Sequence, residues 1–333
     1  MDNHYAEEET TVISFDGIKL RGALTLPRVP HSLVITVHGS FNQDRNGDLD
    51  SSSKWMYPEG TPKRRLFYDM SVALAKVNVA TFRYDKRASG ESEGRYADVT
   101  LVVLAKDVKA IFENMRARFP AIPIWIIGQS EGCLVTLKTY ELGTRPNAIL
   151  LQSPPLVPFD KVLEHQKNRA AAPFLNDPTG ELARKYPYVS AFYKAMYEGD
   201  MLRRIRMTND QYYTLTNGQW TAVTSLQKYR EYMWDGLEML KKVHCPVKIF
   251  FGSKDLNVPP EVAQNIEAGK KEGLFQNVEV TTLANLEHSF RELAPGDGFF
   301  EALSKPLSPK YVTALQDLFK EGRSCPEALS GPQ

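Results

Sequence analysis

Short, almost uninterrupted apolar runs alternate along this chain with longer stretches whose apolar positions recur every three or four residues. Runs at 32–37, 122–127 and 148–152 are rich in Ile, Val and Leu, the pattern of strands covered on both faces, and 79–84 reads as a further strand. Between them, residues 66–77 place Leu66, Met70, Ala73, Leu74 and Val77 on one helical face. Residues 101–119 do the same with Leu104, Val108, Ile111, Phe112 and Met115 before Pro120 stops the helix. Residues 133–142 continue as a third helix. Strands and helices taking turns in this way predict a parallel sheet wrapped by helices. Ahead of it, 9–15 and 18–26 flank Asp16-Gly17 and predict an antiparallel hairpin. A strand at 246–251, a helix at 259–271 with Pro at its start, a strand at 278–283 and a helix at 309–320 resume the alternation.

From 154 to 240 the alternation stops, with no strong strand and many aromatic and charged residues. This predicts a helical insertion over the carboxyl edge of the sheet, where open α/β sheets keep their ligands. Most of its aromatic side chains are expected to form its own small core, with a few lining a pocket if the insertion is a lid. The expected organisation is a core of 1–153 and 241–321, a helical lid of 154–240 and a disordered tail of 322–333.

Composition narrows the function classes. The 333 residues carry 41 basic and 40 acidic side chains, so no global field recruits nucleic acid or an acidic membrane. The three cysteines, Cys133, Cys245 and Cys325, have neither metal-ligand spacing nor an even count for a disulfide framework, and the first two read as buried thiols. The acidic start of the chain lacks the apolar segment of a secretory signal, and no apolar run reaches membrane-spanning length. A soluble, cytoplasmic protein is expected. The polar stretch 41–65 contains Asp44, Asp48 and Asp50, but counting from Asp44 an EF-hand frame puts Leu49 at the required Gly and Trp55 at the required Glu. No metal and no organic cofactor are expected.

The chemistry concentrates at strand ends. The run 122–127 leads into Gly128-Gln129-Ser130-Glu131-Gly132 and then a helix, the context of a nucleophile elbow. Gly128 and Gly132 leave room in a tight turn, Ser130 is exposed at the strand end, and the Glu131 N–H in the first helical turn points where an oxyanion would form. Asp255 follows the strand at 246–251 and His288 follows the strand at 278–283, so Ser, Asp and His come in the chain order this topology requires. An imidazole can take the hydroxyl proton during attack, and a carboxylate can fix its tautomer. His38-Gly39-Ser40, at the end of 32–37, offers the Ser40 N–H as a second oxyanion donor. His38 competes for the base but belongs to the strand-end His-Gly pair, and Asp85 and Asp160 compete for the acid, but neither precedes the His by one strand-helix-strand unit. Arg203, Arg204 and Arg206 form a local basic cluster, either a solvated face or a reader of an anionic substrate group.

These residues resemble the α/β-hydrolase superfamily. Gly39-Ser40 through Asp44-Arg45-Asn46-Gly47, with Phe82-Arg83-Tyr84-Asp85-Lys86-Arg87 and Gly90-Glu91-Ser92, are similar to bacterial serine esterases of the serine aminopeptidase-like and dienelactone-hydrolase-like kind. The likeness covers 32–153 and 246–290 but not the insertion. Ala88 stands where that family usually has a glycine, and Cys133 where the elbow often continues with a smaller residue. The resemblance implies an α/β-hydrolase fold and a serine hydrolase acting on a small-molecule carboxylic ester through an acyl-enzyme on Ser130. A thioesterase or acyltransferase is the alternative, and a non-catalytic ligand-binding relative stands behind both.

Overall fold

A computed structural model describes residues 5–50, 58–294, 297 and 302–321. The tail 322–333, with Cys325, lies outside the described residues, so the expectations placed there have no structural counterpart. The chain opens with β1 (Tyr5–Ile13), β2 (Lys19–Pro27), β3 (Ser32–Val37), α1 (Leu66–Ala75), β4 (Val79–Tyr84), α2 (Leu101–Arg118), β5 (Ile124–Gln129), α3 (Glu131–Glu141) and β6 (Ala148–Gln152). It closes with β9 (Val247–Gly252), α11 (Glu261–Lys271), β10 (Val278–Leu283) and α12 (Pro309–Glu321).

Eight strands form one sheet in the order β1-β2-β4-β3-β5-β6-β9-β10 among the described residues. The hairpin β1–β2 adds to β4 antiparallel, and every pairing from β4 to β10 is parallel. Alternation along β3 shows how the sheet is covered. Leu33, Ile35 and Val37 face a core shared with α2, α3 and α11, whereas Val34 faces α1 and α12 through Leu66, Phe67, Leu315 and Phe319. Burial on both faces is why these strands read as apolar runs. The Thr100 side chain accepts a hydrogen bond from Val103 N at 3.2 Å and caps the start of α2.

After β3 the chain moves to β4 on one side of it, and then to β5 on the other. The loops leaving β3 and β5 therefore diverge and open a crevice at the carboxyl edge, the place where such sheets bind ligands. Register holds the strand ends level there, with Val37 opposite Gly128 and Gln129 opposite Gln152.

Between the adjacent strands β6 and β9 runs the insertion: α4 (Phe159–Asn168), α5 (Ala172–Leu175), α6 (Glu181–Lys185), α7 (Pro187–Tyr197), α8 (Met201–Met207), β7 (Tyr212–Thr216), β8 (Thr221–Ser225), α9 (Leu226–Glu231) and α10 (Gly236–Lys241). It is not wholly helical, because β7 and β8 pair antiparallel. Asn217-Gly218 makes the turn between them: Gly218 has φ +87°, and Asn217 Oδ1 accepts from the N–H groups of Gln219 and Trp220. Phe174, Tyr186, Tyr188, Phe192, Met201 and Leu226 are central to the insertion's own apolar cluster, against which Phe41, Leu49 and Tyr96 of the core loops pack.

Candidate active site

The turn from β5 into α3 is set by what its glycines exclude. A Cβ on Gly132 would lie 2.2 Å from Val37 O and 2.7 Å from His38 O, and one on Gly128 would lie 2.4 Å from Gly132 O. Backbone cannot yield as a flexible side chain can, so both positions require glycine for this close approach. Ser130 adopts φ 54°, ψ −119°, a conformation L residues rarely hold, which costs of order 1–3 kcal/mol. Two backbone hydrogen bonds clamp it there, Ser130 N to Gln152 O at 2.8 Å and Cys133 N to Ser130 O at 2.9 Å. As the first residue of α3, Glu131 has no preceding turn to accept its N–H.

Ser40, Ser130, Glu131 and His288 line one cavity of about 170 Å³. That is an order of magnitude more than the ~10–15 Å³ that admits a single water. Asp255 stands behind His288, with its Oδ2 2.8 Å from His288 Nδ1. Its other oxygen accepts from Asn257 N at 2.7 Å and Val258 N at 3.1 Å. Both side chains are buried. Burial alone would push the Asp255 carboxyl up; the His288 charge and hydrogen bond, Asn257 N–H and the Ser153 hydroxyl outweigh it and hold the carboxyl below its ordinary value. Gly39 precedes Ser40 and packs against the side chain of Gln129.

The competing residues are engaged elsewhere. His38 is buried edge-on against Phe67 and Tyr84, with Nε2 3.0 Å from Asp44 O. Burial, reinforced by the Lys86 charge, lowers its pKa to about 3, so it stays neutral. Asp85 is held by Arg45 and by Glu91 N, and Asp160 is an exposed partner of Arg206. Arg203 and Arg204 pair with Asp200 and Asp210 at 3.0 and 2.9 Å. None of the three arginines lines the cavity, so the cluster is a solvated face. In the 41–65 stretch, Asp44 Oδ1 accepts from Asn46 N and Asp48 N, and Asp48 Oδ1 accepts from Arg65 N. These carboxylate oxygens hold the turn. Cys133 is buried, with Sγ 3.2 Å from Gly128 O, and burial raises its thiol pKa well above the ordinary value.

Sequence reasoning passed over two lysines. Lys86, just beyond β4, reaches Glu131 Oε2 at 2.6 Å, and Lys228, in α9 of the insertion, reaches Glu131 Oε1 at 2.8 Å. All three side chains are almost wholly buried. Burial would raise the Glu131 carboxyl, but the two ammonium groups outweigh it and hold it charged. Burial lowers Lys86 to about 8, against the Glu131 charge that raises it. Lys86 is marked by its place after a strand end and in the stretch from Phe82 to Arg87 that carries the resemblance, though neither gives it a role; nothing local marks Lys228.

The insertion supplies much of the cavity wall, including Leu163, Phe174, Tyr186, Phe192, Tyr193 and Tyr229. Tyr188 and Trp220, by contrast, stack on one another away from the cavity wall, with ring centroids 6.4 Å apart. Among the described residues Glu131 is the only carboxylate in the lining, alongside Arg64 and Lys228.

The chain belongs to the serine aminopeptidase S33 family of α/β-hydrolases, whose profile it matches over residues 65–290. No curated protein matches it. Among solved structures it is similar to the esterase Pf2001 of Pyrococcus furiosus, with TM-score 0.59 and 16% identity over 96% of this chain and 94% of that one. It is also similar to Est1E of Butyrivibrio proteoclasticus with ferulic acid bound, with TM-score 0.58 and 18% identity over 95% of this chain and 100% of that one. A third is an α/β serine hydrolase without lid from Xanthomonas campestris, with TM-score 0.51 and 16% identity over 96% and 97% of the two chains. At these identities the likeness is one of fold. Among the described residues no helix is long and apolar enough to cross a membrane.

Proposed function

We propose that this member of the serine aminopeptidase S33 family hydrolyses a carboxylic ester through an acyl-enzyme on Ser130. The observation that carries the reading is a strained, backbone-clamped Ser130 sharing one apolar cavity with His288, whose Nδ1 is tied to a buried carboxylate. With Nδ1 engaged, Nε2 is the nitrogen left to act. It takes the hydroxyl proton as Ser130 Oγ bonds to the acyl carbon, and the carbonyl oxygen becomes an oxyanion facing the N–H groups of Ser40 and Glu131. Collapse breaks the bond to the alkoxy group, which leaves with the proton from His288. Water then attacks the acyl-enzyme, gives its proton to His288, and releases the acid as Ser130 regains its hydrogen.

An ester fits the cavity better than the free amino terminus of a peptide. Recognising an ammonium calls for an unpaired acid, and the one carboxylate in the described lining already faces two lysines. The aromatic and aliphatic wall suits an apolar acyl or alcohol portion. In this reading residues 154–240 act as a lid over the core of 1–153 and 241–321.

The test is labelling with a fluorophosphonate, read by intact mass, with hydrolysis of p-nitrophenyl esters in parallel. One adduct on the wild-type chain and none on Ser130→Ala, with turnover lost in the same variant, is expected. A folded wild-type chain that takes no label and turns over no activated ester refutes the proposal.

A further inference from the structure

Lys86 is buried behind the candidate oxyanion site rather than in it. Its Nζ donates to Gly39 O at 2.8 Å and to Phe41 O at 3.1 Å, besides the Glu131 carboxylate. Those carbonyls flank Ser40. A trans peptide points its C=O and N–H in opposite directions, so an ammonium on Gly39 O turns the Ser40 N–H away from Lys86. Gln43 Nε2 bonds Ser40 O at 2.7 Å and fixes the next peptide. Phe41 sits at φ +65°, a conformation unusual for a bulky residue, and one of the two carbonyls on Lys86 is its own. The third contact of Lys86 is the side chain of Glu131, the residue whose N–H is the other proposed donor.

We propose that Lys86, anchored on the carboxylate of Glu131, is the positioning residue of the oxyanion hole, setting the direction of the Ser40 N–H relative to that of Glu131. The inference rests on the reading of those two N–H groups as oxyanion donors. One ammonium thereby ties the β3 loop to the elbow, so the two donors move as a unit. Lys228 holds the opposite oxygen of the same carboxylate, at 2.8 Å, and adds the insertion to the assembly. An apolar side chain at 86 would leave the Gly39 and Phe41 carbonyls without this partner and free the Gly39–Ser40 peptide to rotate, blurring an alignment that only the developing negative charge requires.

The experiment compares wild type, Lys86→Met and Glu131→Gln in three readouts. These are kcat and KM for a p-nitrophenyl ester, Ki for a trifluoromethyl ketone that forms a tetrahedral adduct on Ser130, and Ki for the matching ether, which has no carbonyl. Misaligning one donor should lower kcat by about ten- to a hundredfold in Lys86→Met. KM should stay within about twofold, ketone affinity should fall in step with kcat, and ether affinity should hold. Glu131→Gln, which keeps the shape and removes the anchoring charge, should show the same pattern with a smaller loss. If circular dichroism shows Lys86→Met unfolded, Glu131→Gln carries the comparison. Unchanged kcat and ketone affinity in the folded variants, or equal losses for ketone and ether, would overturn the inference while leaving Ser130 labelling and wild-type turnover intact. A wild type that neither labels nor turns over would bring down both readings.

Discussion

Replacing Asp255 with Asn tests the proposed base with a change of one atom, and the structure dictates which way the new amide points. Asp255 Oδ1 accepts two backbone N–H groups, from Asn257 and Val258, and an amide nitrogen there would meet two donors. The Asn oxygen must therefore occupy that position. Its NH₂ is left facing His288 Nδ1 at the 2.8 Å site of Oδ2. Nδ1 then has to accept, the imidazole proton moves to Nε2, and the nitrogen aimed at the nucleophile can no longer receive the serine proton. A wrong tautomer in such an arrangement costs about 10³–10⁴ in kcat, or about 4–5.5 kcal/mol at ~1.36 kcal/mol per tenfold. The assay is initial-rate hydrolysis of a p-nitrophenyl ester at neutral pH, with the rate of fluorophosphonate labelling alongside and a thermal melt to show that the variant is folded. Both rates should fall together. A folded Asp255→Asn chain within about tenfold of wild type would refute the argument, because the His288 tautomer would then not depend on this carboxylate.

Two further predictions concern stability. Ala88 has φ +62°, where a Cβ costs ~1–2 kcal/mol, so Ala88→Gly should stabilise the fold by about 0.5–1 kcal/mol after the extra flexibility of the unfolded chain is counted; a lower urea midpoint would contradict this. Burial, aided by the Asp48 charge, raises Asp44 to about 6. The folded chain thus holds this proton more tightly than the unfolded one, and stability from this group falls as pH rises from about 4 through 6, by roughly 2–3 kcal/mol. Asp44→Asn keeps an oxygen for the N–H groups of Asn46 and Asp48, so it should raise Tm at pH 7–8 and leave it unchanged near pH 4. A Tm gain that is the same at both pH values would sink this account.

Much of the sheet was legible because its strands are covered on both faces and its helices carry one apolar stripe, properties that are local in sequence. The expected strand at residues 278–283 coincides with β10 although this edge strand is largely exposed, and the strand-end positions of Ser130, Asp255 and His288 follow from the alternation of strands and helices. The hairpin β7–β8 was missed although Asn217-Gly218 marks its turn. Its strands are short and half-exposed, with Thr and Tyr in place of the aliphatic runs that identified the others. Ala88 was noticed only as a departure from a resemblance, yet the backbone there keeps the positive φ that a glycine would have supplied. Lys228 could not be found, because its meaning comes from Glu131, a partner distant in the chain. Buried charge pairs between remote segments leave no periodicity to read.

The adjacency of β6 and β9 also says something about the order in which this protein comes to exist. Ile149 pairs with Val247, so joining these strands closes a loop of roughly a hundred residues, which from an extended chain costs about 4 kcal/mol in entropy. Collapse of the intervening segment on its own aromatic cluster shortens that gap. As the chain leaves the ribosome, β5 and its elbow can assemble with β3, β4 and β6 across connections that are each shorter than the one from β6 to β9. Asp255 and His288 arrive only when β9 and β10 dock. If Ser130, Asp255 and His288 act together as proposed, the nascent chain builds its serine first and acquires the means to activate it last, and would pass through synthesis chemically silent.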